Sequence, residues 1–389
     1  MRHRPSFVLA CLVAGSLIAA SCGAGINEGV NEGRGNRGTI DGVTLNTADT
    51  VVPETTAAEA STTEPDPTDP NSTDSTAPQD VGDFAWTEYE AGIDEVTLEV
   101  RLDYENPSGG SITLYLMRHR AVDPANRIGS LLVNPGGPGY GGSGLAYSAD
   151  DIYGQDLLDR FDIIGWDPRG TGLSQPAIDC VDDYDKYFGL DSSPDTPEER
   201  EALIDVGTEF GKNCLRKNRE ALPFISTENS ARDMDSIRAA LGEEKISYFG
   251  FSYGSELGTT WATIFPDTVR AAVVDGAVDP TVGYLQQNIQ QAAGFEATFA
   301  TFLAQCSAAS TCAFYNDGDA EGAYDALAEE IDANPITVDP DRTDVTQGVL
   351  TTAVSNAMYD QSYWPQLEHA LADLQGGDGQ GVLELYDDD

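Results

Sequence analysis

The chain has 389 residues, of which 40% are hydrophobic, enough to build a large core. Its formal charge of −45 excludes nucleic acid as a partner, because such a surface repels phosphates. Lysine occurs at only four positions (Lys186, Lys212, Lys217 and Lys245), so arginine supplies the other cations. The composition is that of an acidic, exported protein.

In chain order, "MRHRP" is a positive start and "SFVLACLVAGSLIAA" a short apolar run interrupted by Gly and Ser. Together they predict a signal peptide over residues 1–21. "IAASC" follows and resembles the bacterial lipobox, with Ala19 where leucine is most usual. That resemblance makes Cys22 the lipidated residue of an outward-facing membrane lipoprotein; ordinary cleavage near "AAS" would give a secreted form instead. The lipid would be the chain's one link to a membrane. Residues 22–83 are rich in Thr, Pro, Asp and Ser, without apolar periodicity, and read as a disordered tether.

An α/β core is expected over 84–280. "DEVTLEVRLDY" and "GSITLYLMRHR" alternate apolar and polar residues around an "NPSGG" turn, which predicts an antiparallel hairpin. Four apolar runs then end in glycine- or aspartate-rich turns: "IGSLLVNPGGPG", "FDIIGWDPRGTG", "KISYFGFSYG" and "VRAAVVDGAVDP". Each reads as a buried strand, with helices such as "STENSARDMDSIRAALG" between them. Buried strands alternating with helices predict a mostly parallel sheet with its working loops at the carboxyl ends. An insertion over about 176–226 carries the acidic helix "TPEEREALIDVGTEF". From 281 to 389 the strand signal disappears, and three helical patterns predict a lid or cap.

Cys180, Cys214, Cys306 and Cys312 remain outside the leader, an even number that suits two disulfides in an oxidising compartment. Sequence order favours Cys180–Cys214 and Cys306–Cys312. No metal or organic cofactor is expected, and the chain reads as a monomer.

Three motifs carry chemistry. "GFSYG", Gly250 to Gly254, fits G-x-S-x-G between an apolar run and a helical pattern, so Ser252 would project from a tight strand-to-helix turn. "NPGGPG", Asn134 to Gly139, is a tight loop able to turn amide N–H groups toward a cleft, and it lacks the lysine and hydroxyl of a phosphate-binding loop. In "WDPRGTGLS", Asp167 and Arg169 are expected to form an ion pair that shapes the loop.

In this order the motifs resemble the α/β-hydrolase superfamily, and within it the exported actinobacterial tripeptidyl-aminopeptidase and prolyl-iminopeptidase-like serine peptidases. The resemblance covers roughly residues 84–389. It implies an α/β-hydrolase fold with a helical lid, and Ser252 as nucleophile. It implies an oxyanion hole from the backbone N–H groups of Gly137 and Tyr253, and cleavage of peptides at a free N-terminus. An esterase or thioesterase on the same framework, or a surface protein without catalysis, remain the alternatives. The family's triad runs Ser, acid, His along the chain. Only His369 follows Ser252, and it lies off the apolar stripe of "YWPQLEHALADLQGG", as a lid or surface residue would. Asp275 could be the acid or simply cap a turn. The last strands of the sheet have no counterpart before Asp389, so the chain reads as lacking the C-terminal part that bears the triad acid and histidine. A substrate's ammonium group would need a carboxylate in the cap, for which Glu296 is chemically suitable.

Overall fold

The computed structural model describes residues 84–387 except Pro107, Ser193 and Asp195. The expected signal peptide, Cys22 and the tether lie outside the described residues.

A seven-stranded mixed sheet is built from β1 (Thr87–Glu90), β2 (Ile93–Arg101), β3 (Ser111–His119), β4 (Gly129–Asn134), β5 (Phe161–Asp167), β6 (Ile246–Phe251) and β7 (Val269–Asp275), in the order β1-β2-β3-β5-β4-β6-β7. The expected hairpin is present, with Ile93 opposite His119 and Arg101 opposite Ser111. The sequence reading missed β1, a four-residue strand exposed at every position, which offers no alternation to detect. From β5 onward the pairs β5–β4, β4–β6 and β6–β7 are parallel.

Helices of eight residues or more are numbered here. They are α1 (Pro197–Lys217), α2 (Thr227–Ala240), α3 (Tyr253–Ile264), α4 (Tyr284–Ala308), α5 (Ala320–Ala333), α6 (Gln347–Ala357), α7 (Trp364–Gln375) and α8 (Gln380–Asp387). The starts of α1 and α2 follow from their caps. Thr196 and Glu199 close a capping box, and the Ser226 hydroxyl accepts from the Asn229 N–H. The sequence reading missed α6 and α8, the latter ending in the acidic run after "LELY".

Period-two geometry splits each central strand between two cores. Leu132 and Ile164 face a core that takes Met234 and Ile237 from α2 and Leu257 and Trp261 from α3. Leu131, Val133 and Ile163 face the opposite core, against Ala149, Tyr153 and Leu158. The cap has a core of its own, running from Phe299 to Tyr386.

Two expectations are corrected. Arg169 does not pair with Asp167; it forms a buried two-pronged ion pair with Asp233 of α2, at 2.8 Å (Nε) and 2.7 Å (Nη2). Its remaining N–H groups reach the carbonyls of Arg101, Leu102 and Phe224, and the Tyr104 hydroxyl donates to Asp233 at 2.7 Å. Complete satisfaction is what lets this charge sit in a core. The second correction concerns β7, expected to be buried: only Val269 is half-buried, and its other six positions are exposed.

The structure joins Cys180 to Cys214 and Cys306 to Cys312. Helix α1 buries none of its residues. The insertion is tied to the cap by Arg342, which donates to Asp185 on one side and Asp387 on the other. Among the described residues no helix is long and apolar enough to cross a membrane.

Candidate active site

Strand β6 ends at Phe251, and the next residue, Ser252, has φ 52° and ψ −124°. A non-glycine residue in this region costs about 1–3 kcal/mol, so the surroundings must hold it. They do. Its N–H donates to the Asp275 carbonyl at 2.8 Å, and its own carbonyl accepts from Ser255 N–H at 2.8 Å. The Ser255 hydroxyl accepts from Val278 N–H at 2.9 Å, binding the loop after β7 to the same turn. Tyr248, almost fully buried, donates its hydroxyl to the Gly254 carbonyl at 2.7 Å. The glycines of the motif are required by close approach. A Cβ on Gly250 would lie 2.5 Å from the Tyr248 hydroxyl, and one on Gly254 would lie 2.9 Å from the Asn134 carbonyl.

The elbow opens α3, so the Tyr253 N–H is at a helix N-terminus and has no partner within the helix. The Tyr253 side chain is anchored away from the cleft, its hydroxyl 2.9 Å from the hydroxyl of Thr227 at the start of α2. Burial pushes the pKa of that phenol up and keeps it neutral.

The "NPGGPG" loop lies directly on the elbow. A Cβ on Gly136 would come 2.6 Å from the Phe251 carbonyl, 2.9 Å from Ser252 Cβ and 3.2 Å from Tyr253 N. Gly136 and Gly137 both have φ near 105°, which permits a main-chain path closed to other residues. The structure therefore brings Ser252, the Gly136–Gly137 peptide and the Tyr253 amide into one place.

Asp167 serves this arrangement in a way the sequence reading missed. Its carboxylate, 2% exposed, accepts from Ser143 N–H at 3.1 Å and Leu173 N–H at 2.8 Å, stapling the loop after β4 to the loop after β5. The signal was its place at a strand end before a glycine-rich loop. Beside Tyr253, the Glu256 carboxyl is pushed above its ordinary range, first by burial and second by the charge of Glu228.

The expected partners of Ser252 are placed as follows. Asp275 ends β7 with its carbonyl on the Ser252 N–H, and its side chain is exposed. His369 is exposed on α7, a helix whose buried face belongs to the cap core. His119 is buried, its Nε2 3.3 Å from an Asp150 oxygen. It pairs with Ile163, four residues (roughly 13 Å of strand) back from the Asp167 end of β5. Among the described residues, no histidine is hydrogen-bonded to Ser252. Glu296 is exposed on α4. The one group of potential metal ligands among the described residues is Cys306, Cys312 and Glu368, and its two cysteines are spent in a disulfide.

Residues 129–378 match the family model described as the alpha/beta hydrolase fold. The chain belongs to the α/β-hydrolase family. Among curated relatives, this α/β hydrolase is 35% identical over 301 residues to Serine protease Hip1 of Mycobacterium tuberculosis, covering 75% of the chain and 57% of that protein. It is 33% identical over 294 residues to Tripeptidyl aminopeptidase of Streptomyces lividans, covering 73% of the chain and 54% of that protein. It is 34% identical over 302 residues to Carboxylesterase B of Mycobacterium tuberculosis, covering 75% and 57%. This α/β hydrolase thus spans little more than half the length of the curated relatives it matches.

Proposed function

We propose that this chain carries the nucleophile and oxyanion hole of an exported serine hydrolase that cleaves peptides at their free N-termini. The observation that carries the reading is the strained Ser252 turn with the Gly136–Gly137 peptide seated against it. Such strain persists only where the fold over-determines it, and here it presents one hydroxyl beside two backbone donors.

In the proposed reaction, Ser252 Oγ attacks a carbonyl carbon and gives its proton to a general base. The oxyanion is received by the N–H groups of Gly137 and Tyr253. The C–N bond then breaks, the base returns the proton to the departing amine, and water hydrolyses the acyl-serine in a second round. Among the described residues Asp275, whose carbonyl accepts from the Ser252 N–H, is the candidate acid, and no histidine there is hydrogen-bonded to Ser252. The relatives named as serine protease and tripeptidyl aminopeptidase support a peptide substrate with a free N-terminus. Export rests on residues 1–21, with Cys22 as anchor, residues 22–83 as tether, 84–280 as core and 281–389 as cap.

Chemical rescue tests this directly. The purified chain is treated with a fluorophosphonate probe with and without millimolar imidazole as a soluble base. Labelling that rises with imidazole and vanishes in Ser252→Ala is expected; a chain that stays unlabelled in both conditions overturns the reading. A carboxylesterase is the second reading, favoured by the Carboxylesterase B relative. Turnover of a short acyl ester, with a free-N-terminal tripeptide anilide inert under the same conditions, would select it.

A further inference from the structure

Asn134 is the last residue of β4, fully buried, and paired in register with Gly250 of the elbow. Its Oδ1 accepts from Gly136 N–H at 3.0 Å, an Asx-type turn closed on the residue two further on. The same oxygen and the Asn134 carbonyl would each lie 2.9 Å from a Cβ on Gly254. One side chain therefore touches both the glycine loop and the glycine that follows the nucleophile. Its Nδ2 is buried with no hydrogen-bond partner among the described residues. An unsatisfied buried donor costs about 1–3 kcal/mol, so stability alone does not explain an asparagine at this position.

The loop's donors can be counted. Pro135 and Pro138 have no N–H. The Gly136 N–H is consumed by Asn134. Gly137 is thus the one residue of 135–138 with an amide left for a ligand. Two successive glycines at positive φ have many alternative backbone paths, and a peptide flip there would turn that amide out of the cleft.

We propose that Asn134 is the positioning residue of the oxyanion loop: its side-chain carbonyl occupies the Gly136 N–H and so aims the Gly137 N–H at the oxyanion. The assignment rests on the reading of Ser252 as nucleophile. It acts through the backbone, so its loss weakens transition-state stabilisation more than ground-state binding.

Two readouts test it on the full chain. The first is Ser252-dependent turnover of a short acyl ester in imidazole. Asn134→Leu, which keeps the bulk and removes the acceptor, should lower kcat about 10- to 100-fold with KM within about twofold. Asn134→Thr, whose hydroxyl can close a similar turn, should recover most of that loss. Equal losses in both variants, or kcat unchanged in Asn134→Leu, would overturn the proposal. The second readout is amide exchange with 15N-glycine labelling. Gly136 should be protected in the wild type and lose at least about tenfold protection in Asn134→Leu, or in Asn134→Ala should the leucine variant not fold. Gly136 protection unchanged by the substitution refutes the loop assignment whatever the turnover shows. Loss of protection in a protein whose wild type never turns over ester refutes the Ser252 reading and leaves the loop assignment standing.

Discussion

Strands β4 and β7 are both short, apolar and parallel to β6, yet every residue of β4 is buried and nearly every residue of β7 is exposed. Val133 is fully buried at the sheet centre, while Val273 is 52% exposed and Val274 39%. The difference is one of neighbours. β4 has a strand on each edge and a core on each face; among the described residues β7 has β6 on one edge and no strand on the other. Composition reports what a strand could bury, and position in the sheet decides what it does bury. The loops of the proposed active site sort accordingly: the glycine loop and the Ser252 turn leave strands β4 and β6, where packing can hold strained backbone.

The largest expected effect breaks the buried centre itself. Asp233→Ala strands the Arg169 guanidinium in the core and should cost about 3–5 kcal/mol in urea unfolding. A loss below about 1 kcal/mol would show that the pair is not desolvated in solution. Next, Gly136→Ala forces a Cβ against the Phe251 carbonyl at positive φ, and should cut Ser252-dependent labelling about 100-fold. Wild-type labelling of that variant would mean that the loop does not lie on the elbow.

A matched pair sharpens the contrast further. Val133→Thr buries a hydroxyl and should cost about 1–3 kcal/mol, whereas Val273→Thr should stay within about 0.5 kcal/mol. Equal costs at the two sites would show that β7 is covered in solution. The smallest effect is a pH dependence. Hydrogen bonding from Arg342, ahead of the N–H of Thr343, holds the Asp185 carboxyl below its ordinary range, despite an opposing burial contribution. A depressed folded pKa contributes stability above the unfolded value of about 3.9, and that contribution is lost as pH falls through the folded pKa. Wild type should therefore lose its stability advantage over Arg342→Ala on acidification below about pH 4. A constant difference between the two in melts from pH 7 to pH 3 would remove this clasp from the account.

Much of the molecule was readable before any coordinates. Alternation marked β2 and β3, short apolar runs marked β4 to β7, an acidic helical pattern marked α1, and a Ser/Thr start with a glycine stop marked α2, because each of these signals is local. Ser252 and the glycine loop were legible for the same reason: a tight strand-to-helix turn has narrow steric requirements that glycine at set spacings satisfies. Asp233 was not legible as the partner of Arg169, since 64 residues separate them and a buried ion pair leaves no periodic trace. Helix α6 was passed over because its threonines, serine and glycine weaken the helical pattern while tertiary burial sustains it.

By itself, then, the sequence determined strands β2 to β7 and the helices between and after them apart from α6 and α8, the serine set between glycines, and the two proline-flanked glycines of the loop after β4, all through local sterics and hydrophobic period. Only the tertiary structure decided that Arg169 answers to Asp233, that β7 stands exposed at the edge, that His119 lies partway down the sheet and His369 out on the cap, and that Asn134 joins loop to elbow. Those facts depend on which surfaces meet across long sequence separations, and contact of that kind is set by packing of the whole fold.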